Sequence, residues 1–286
     1  MLNISTDKTG ASPGGWINPA ENQVQKEEPK DSADTKVYDL NYPNKVKIVD
    51  DAIARDNKDC TKAIKKILSN NPSFDINIAK GFFNVAKIYK IDPMMAISQS
   101  ILETGWFKYQ GSAVTADQHN YCGLGVTSTG IKGASFDTIE DGVRAQLQHL
   151  YAYGCKDALP SGEKVLDPRF SLVSRGVAPY WQQLAGRWAC PGYDTKTYAS
   201  PVDAMAANNT YGQKILTIKN GIEKVEVSDE DLNLYFKGNN DEKVEPVEPV
   251  EPVVPVVPVE PIKPKTGILW KIIELILNLI GFFFKK

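Results

Sequence analysis

Apolar positions recur at helical spacing through the middle of the chain. Val46, Val49 and Ile53 and, after an Asp-rich interruption, Ala63, Ile67 and Leu68 predict a first helix, ended by Asn70-Asn71-Pro72. Asp75 or Asn77 caps a second, with Ile78, Phe82, Val85 and Ile88 on one face. The third has both ends marked. Asp92 suits the N-cap, Pro93 suits the first helical position where its missing N–H costs nothing, and Gly105 suits a left-handed stop. Met94, Ile97 and Ile101 give it a buried stripe. Between 106 and 136 the helical period gives way to dense Gly, Ser and Thr. There Thr127-Ser-Thr-Gly130 separates two short extended runs, which predicts a small β-hairpin lobe. Asp137 and Thr138 open another helix with Val143, Leu147, Leu150 and Tyr151 at helical spacing, closed by Gly154. Residues 155–210 are loop-rich, with short helical pieces near Pro179–Leu184, and Ile215, Ile218 and Ile222 face inward from a closing helix over 211–225. The pattern is that of one mainly α domain over 37–226.

The flanks read differently. Residues 1–36 are polar, with Gly14-Gly15 and a charged run from Lys26 to Asp34, and predict a flexible arm. Residues 227–265 predict a linker. Within it proline falls at 246, 249, 252, 255, 258, 261 and 264, the period of a polyproline II rod that would reach about 60 Å. Residues 266–286 predict a hydrophobic helix whose Lys271, Glu274, Asn278, Gly281 and Lys285 share one thin polar stripe. At roughly 27 Å it nearly matches a hydrocarbon core of about 30 Å. Trp270 and Lys285-Lys286 suit its interfaces, so membrane association through 266–286 is expected, with self-association through the polar stripe as one form of it.

Composition narrows the function. The chain has 286 residues, 33 Lys and Arg against 35 Asp and Glu, and no basic stripe interleaved with aromatics, so a nucleic-acid partner is not expected. The four cysteines, Cys60, Cys122, Cys155 and Cys190, fit no zinc spacing and read as ordinary thiols. No metal constellation is visible and no cofactor is expected. The N-terminus lacks a basic segment followed by an apolar run, so no signal peptide is expected.

One acid stands out chemically. Glu103 falls in the last turn of the third helix, facing the negative end of the helix dipole. That placement, with partial burial, raises a carboxyl pKa toward the range where it can deliver a proton at neutral pH.

The stretch around Glu103, Ala96-Ile-Ser-Gln-Ser-Ile-Leu-Glu-Thr-Gly-Trp106, is followed by Asn120-Tyr-Cys-Gly-Leu-Gly125. Together they resemble the glucosaminidase family of bacterial cell-wall hydrolases. The similarity continues in order through Gly142–Leu150, Asp167-Pro-Arg-Phe170, Arg175–Tyr180 and Tyr211-Gly-Gln-Lys-Ile215, which makes it far more specific than an isolated Glu-Thr-Gly. The resemblance implies a lysozyme-like fold, endo-β-N-acetylglucosaminidase action on the glycan strands of peptidoglycan, and Glu103 as catalytic acid. It implies a second acid in the hairpin lobe, where Asp137 and Glu140 fall, although a capping box in Asp137-Thr-Ile-Glu140-Asp141 also accounts for both. Attack by the substrate's own 2-acetamido oxygen is the alternative to an enzymic nucleophile. Tyr211 matches the family's closing tyrosine and could orient the acetamido group or Glu103, although the preceding family motif is degraded to Ala204-Met-Ala-Ala207. The resemblance also places Asn120 and Gly123 at the substrate, and Trp106, Tyr121, Tyr180 and Trp181 offer flat faces for sugar rings. His119 reads as a loop residue and His149 as a helix-face residue.

A wall hydrolase without a signal peptide would act at the cell wall after release by a phage holin, by lysis, or as a virion component. Two rivals remain. A muramidase or lytic transglycosylase shares the fold and the single glutamate but cuts the other bond. A membrane-disrupting or phage tail-tip protein would use the C-terminal helix as its active element.

Overall fold

A computed structural model of the chain describes residues 40–126 and 130–236. The expected N-terminal arm, proline rod and C-terminal helix lie outside the described residues, as do residues 127–129 of the predicted four-residue hairpin turn. Among the described residues the chain is mainly helical and forms no strand, consistent with the lysozyme-like helical domain expected.

Helix α1 (Asn57–Leu68) begins at Asp56, whose carboxylate accepts from the Asp59 N–H at 2.9 Å, and buries Cys60, Ala63, Ile64 and Ile67. Helix α2 (Ile76–Val85) is capped by Asp75 and buries Ala79, Phe82 and Val85. Helix α3 (Pro93–Thr104) carries the predicted caps: Asp92 accepts from the Met94 N–H at 2.9 Å, Pro93 opens the first turn, and Gly105 stops the helix at φ +59°. It has no apolar stripe facing a polar side. Eleven of its twelve residues are buried, because α1, α2 and α6 surround it. A helix buried all round is a core element, and Ser98, Gln99 and Ser100 lie within it.

Helix α4 (Ile139–Gly154) packs across α2, and its N-cap is Thr138, which accepts from the Asp141 N–H at 3.1 Å. The cap is therefore not Asp137, which precedes it and is exposed. A short helix α5 (Pro201–Ala206) leads into α6 (Tyr211–Glu223), which lies against α3.

Three expectations are corrected. Residues 46–55 form two isolated bridges and a turn at 51–52 rather than a helix: Ile48 donates to the Pro179 carbonyl at 2.9 Å, Asp50 donates to the Lys90 carbonyl at 2.8 Å, and the Val46 carbonyl accepts from Trp181 at 2.9 Å. Buried Ile48 lies between Lys47 and Val49, which pair with Tyr180 and Ile91. Here the tertiary partners override an apolar spacing that also fits a helix.

The β-hairpin lobe forms no strand in 106–126 or 130–136. Backbone bonds from Ala134 to the Leu124 carbonyl at 2.7 Å and from Phe136 to the Gln118 carbonyl at 2.9 Å join the two runs without extending into a ladder, and side chains supply further links. Asn120 Nδ2 donates to the Leu124 and Ala134 carbonyls at 2.8 and 2.9 Å while its Oδ1 accepts from the Leu124 N–H, and Gln118 Nε2 donates to the Gly133 carbonyl at 3.0 Å.

Finally, the stretch expected to begin the linker forms helix α7 (Asp229–Phe236) against α1. Lys65 pairs with Asp231 at 2.6 Å, and Lys80 sits over the Phe236 ring at 5.2 Å.

Candidate active site

The last turn of α3 presents Glu103, and the chain then turns through three consecutive left-handed residues, Gly105, Trp106 and Phe107. Two of these are not glycine, and such backbone costs of order 1–3 kcal/mol per residue unless its surroundings enforce it. The enforcement is visible. Asn71 Nδ2 donates to the Trp106 and Phe107 carbonyls at 3.1 and 3.2 Å, and Thr104 Oγ1 accepts from the Phe107 N–H at 2.8 Å. The glutamate is thus held on a rigid corner.

Glu103 is buried, at 8% exposure. Its Oε1 accepts two hydrogen bonds, one from the indole Nε1 of Trp188 at 3.1 Å and one from the hydroxyl of Tyr211, the first residue of α6. Burial pushes the Glu103 carboxyl up to about 7, against the two donors, which pull it down. A carboxylic acid poised there can both hold and release a proton at neutral pH. Burial and the neighbouring glutamate in turn hold the Tyr211 hydroxyl and the Cys122 thiol well above their ordinary values, so both stay neutral.

A second layer stands behind these donors. Gln99 Nε2 donates to the Tyr211 hydroxyl at 2.9 Å. The Trp188 ring packs edge-on to His149, with centroids 4.8 Å apart, and His149 Nδ1 meets Asp167 Oδ2 at 2.7 Å. His149 is therefore a buried member of the wall behind the site rather than an unremarkable helix-face residue.

The other expected site residues divide clearly. Trp106 is half-buried at the corner beside Glu103. Asn120 is spent on the backbone of its own loop. Gly123 turns that loop at φ +71°. Tyr121 is core, tilted against Phe82 and edge-on to Phe107. Trp181 is completely buried, so its ring is a support and not an open sugar platform. Tyr180 is half-buried with Lys45 at 5.7 Å over its ring. Asp137 is exposed and makes no hydrogen bond or ion pair among the described residues. Nothing in the sequence marks Trp188, Gln99 or Asn71 as site residues: Trp188 sits in a loop without periodicity, and the other two are polar residues whose partners are distant along the chain.

No group of acidic, histidine and cysteine residues that could hold a metal occurs among the described residues. Nor is any helix there long and apolar enough to cross a membrane.

A carboxyl titrating near neutrality, buried at a fixed corner between two donors, suits the general-acid half of glycoside hydrolysis. Residues 79–224 match the family model described as mannosyl-glycoprotein endo-beta-N-acetylglucosaminidase, and the chain belongs to this glucosaminidase family, glycoside hydrolase family 73. An uncharacterized protein of Borreliella burgdorferi is 35% identical over 170 residues, which cover 58% of this chain and 82% of that protein. No solved structure matches the chain.

Proposed function

We propose that the chain is a peptidoglycan hydrolase that cleaves the glycan strand as an endo-β-N-acetylglucosaminidase, with Glu103 as general acid. The observation that carries this reading is the Glu103 carboxyl itself: buried, held by Trp188 and Tyr211, and pushed up to about 7. Its proton goes to the departing glycosidic oxygen as the oxocarbenium-like centre forms.

Because the protonated form is the active one, kcat/KM should be highest below the Glu103 pKa and fall as pH rises through about 7. A pH–rate profile on a soluble, uncrosslinked glycan strand tests this. A rate that keeps rising past pH 8 would exclude Glu103 as a proton donor with that pKa.

Substrate assistance supplies the second half of the chemistry in this reading. The 2-acetamido oxygen of the sugar attacks the anomeric carbon, so no enzymic nucleophile is required. The exposure of Asp137 and the assignment of the helix cap to Thr138 support this. Asp137→Asn should accordingly cost less than about threefold in kcat, well short of the 10²-fold or more typical of losing an acid–base group. A loss as deep as that would make Asp137 a catalytic acid or nucleophile.

A further inference from the structure

We infer that Gln99 and Gln146 are positioning residues: they form a one-way hydrogen-bond chain that makes the Tyr211 hydroxyl a donor to Glu103 Oε1. The inference rests on the reading of Glu103 as general acid.

The direction of the chain follows from its anchor. Gln146 reaches the Ala96 carbonyl at 3.2 Å, and a backbone carbonyl can only accept. The amide nitrogen of Gln146 therefore faces Ala96. The same nitrogen then donates to Gln99 Oε1 at 2.9 Å, while Gln146 Oε1 accepts from the Ser100 hydroxyl, also at 2.9 Å. With its oxygen so engaged, Gln99 can offer only Nε2 to the Tyr211 hydroxyl, at 2.9 Å. That hydroxyl has one hydrogen, and the bond it accepts from Gln99 leaves the hydrogen for Glu103. Gln99, Ser100 and Gln146 have no exposed surface, so bulk water cannot scramble the order.

The consequence falls on the reacting group. Oε1 of Glu103 takes one bond from a tyrosine with a forced direction and one from Trp188, whose indole N–H can only donate. Both donors favour the carboxylate, so the chain opposes the upward pull of burial on the pKa. Gln99 and Ser100 lie in the middle of a buried helix where apolar residues would pack more simply, and this network gives both a role.

A double-mutant cycle tests the proposal, with kcat, KM and pH profiles measured on a soluble, uncrosslinked glycan strand for Gln99→Met, Tyr211→Phe and the pair. Gln99→Met should lower kcat by about tenfold with KM little changed. It should also move the alkaline limb of the profile upward, as loss of a donor weakens the acid. In the Tyr211→Phe background the same substitution should cost less than about twofold, because Gln99 acts through the hydroxyl. A substitution that merely loosened the core would admit water, move the limb down toward ordinary carboxylate values and add fully to Tyr211→Phe; that outcome overturns the proposal. Should Gln99→Met fail to fold, Gln146→Met leaves Gln99 in place but removes the anchor that fixes its direction. Its kcat should also fall, and wild-type kcat in that variant would overturn the proposal. Glu103→Gln measured in parallel separates the two claims. If it is inactive while the cycle is additive, only the relay fails; if it is active, the assignment of the acid itself fails.

Discussion

Glu103→Gln is expected to abolish wall lysis while leaving the fold in place. Glutamine keeps an oxygen to accept from Trp188 and Tyr211 and nearly the same volume, so the corner after α3 retains its contacts. What it lacks is a transferable proton, and removing a general acid lowers the rate by about 10²–10⁴-fold. Neutralising a buried ionisable group carries no desolvation penalty, so thermal unfolding should occur within a few degrees of the wild type. Turbidity clearance of purified walls and a melting curve on the same preparation check both halves. A folded variant retaining more than about a tenth of wild-type activity would contradict the assignment.

Gly212→Ala is expected to damage both stability and turnover. A Cβ at Gly212 would lie 2.2 Å from the Trp181 carbonyl oxygen and 2.5 Å from the Gln182 Cα. Both obstacles are backbone, and that backbone is pinned: the Trp181 N–H donates to the Val46 carbonyl, and the Gln182 side chain bonds to Val46 and Asn44. Replacing glycine by alanine inside a helix ordinarily gains about 1 kcal/mol, but overpacking against fixed backbone costs about 1–3 kcal/mol and occasionally more. With such an overlap the cost should win, leaving a net loss of roughly 2 kcal/mol. The first turn of α6 is the element free to yield, and it carries Tyr211 away from Glu103 as it moves. Urea unfolding should show the loss of stability and steady-state kinetics a lower kcat. A stabilised or fully active Gly212→Ala would show that the two backbones have room to separate.

The contrast between legible and illegible parts has a physical origin. Helix α3 could be read because its signals are local: Asp92, Pro93 and Gly105 each act within a few residues of their own position. Glu103 could be singled out for the same reason, since a helix end announces itself in sequence. Its surroundings could not. Trp188 and Tyr211 lie 85 and 108 residues further on, and contacts at that separation leave no periodic trace. Tyr211 was reached only through a motif resemblance, and Trp188 not at all.

The misread segments share a cause as well. Val46, Val49 and Ile53 satisfy a helical spacing, yet Ile48, the most buried residue of that stretch, makes its hydrogen bond to residue 179. Asn120 belongs to the recognised motif, but its amide ties Leu124 and Ala134 together beside a single backbone bond between the same two residues, and no strand extends from it. Trp181 and Tyr121 look like sugar platforms because aromatic residues serve both surfaces and cores, and only burial separates the two uses.

Mass spectrometry of borohydride-reduced digestion products shows directly which glycosidic bond is cut. Walls digested by the full chain should yield fragments whose new reduced end is N-acetylglucosaminitol, and Glu103→Gln should yield none. Fragments ending in reduced or anhydro N-acetylmuramic acid would instead make the enzyme a muramidase or lytic transglycosylase and contradict the account.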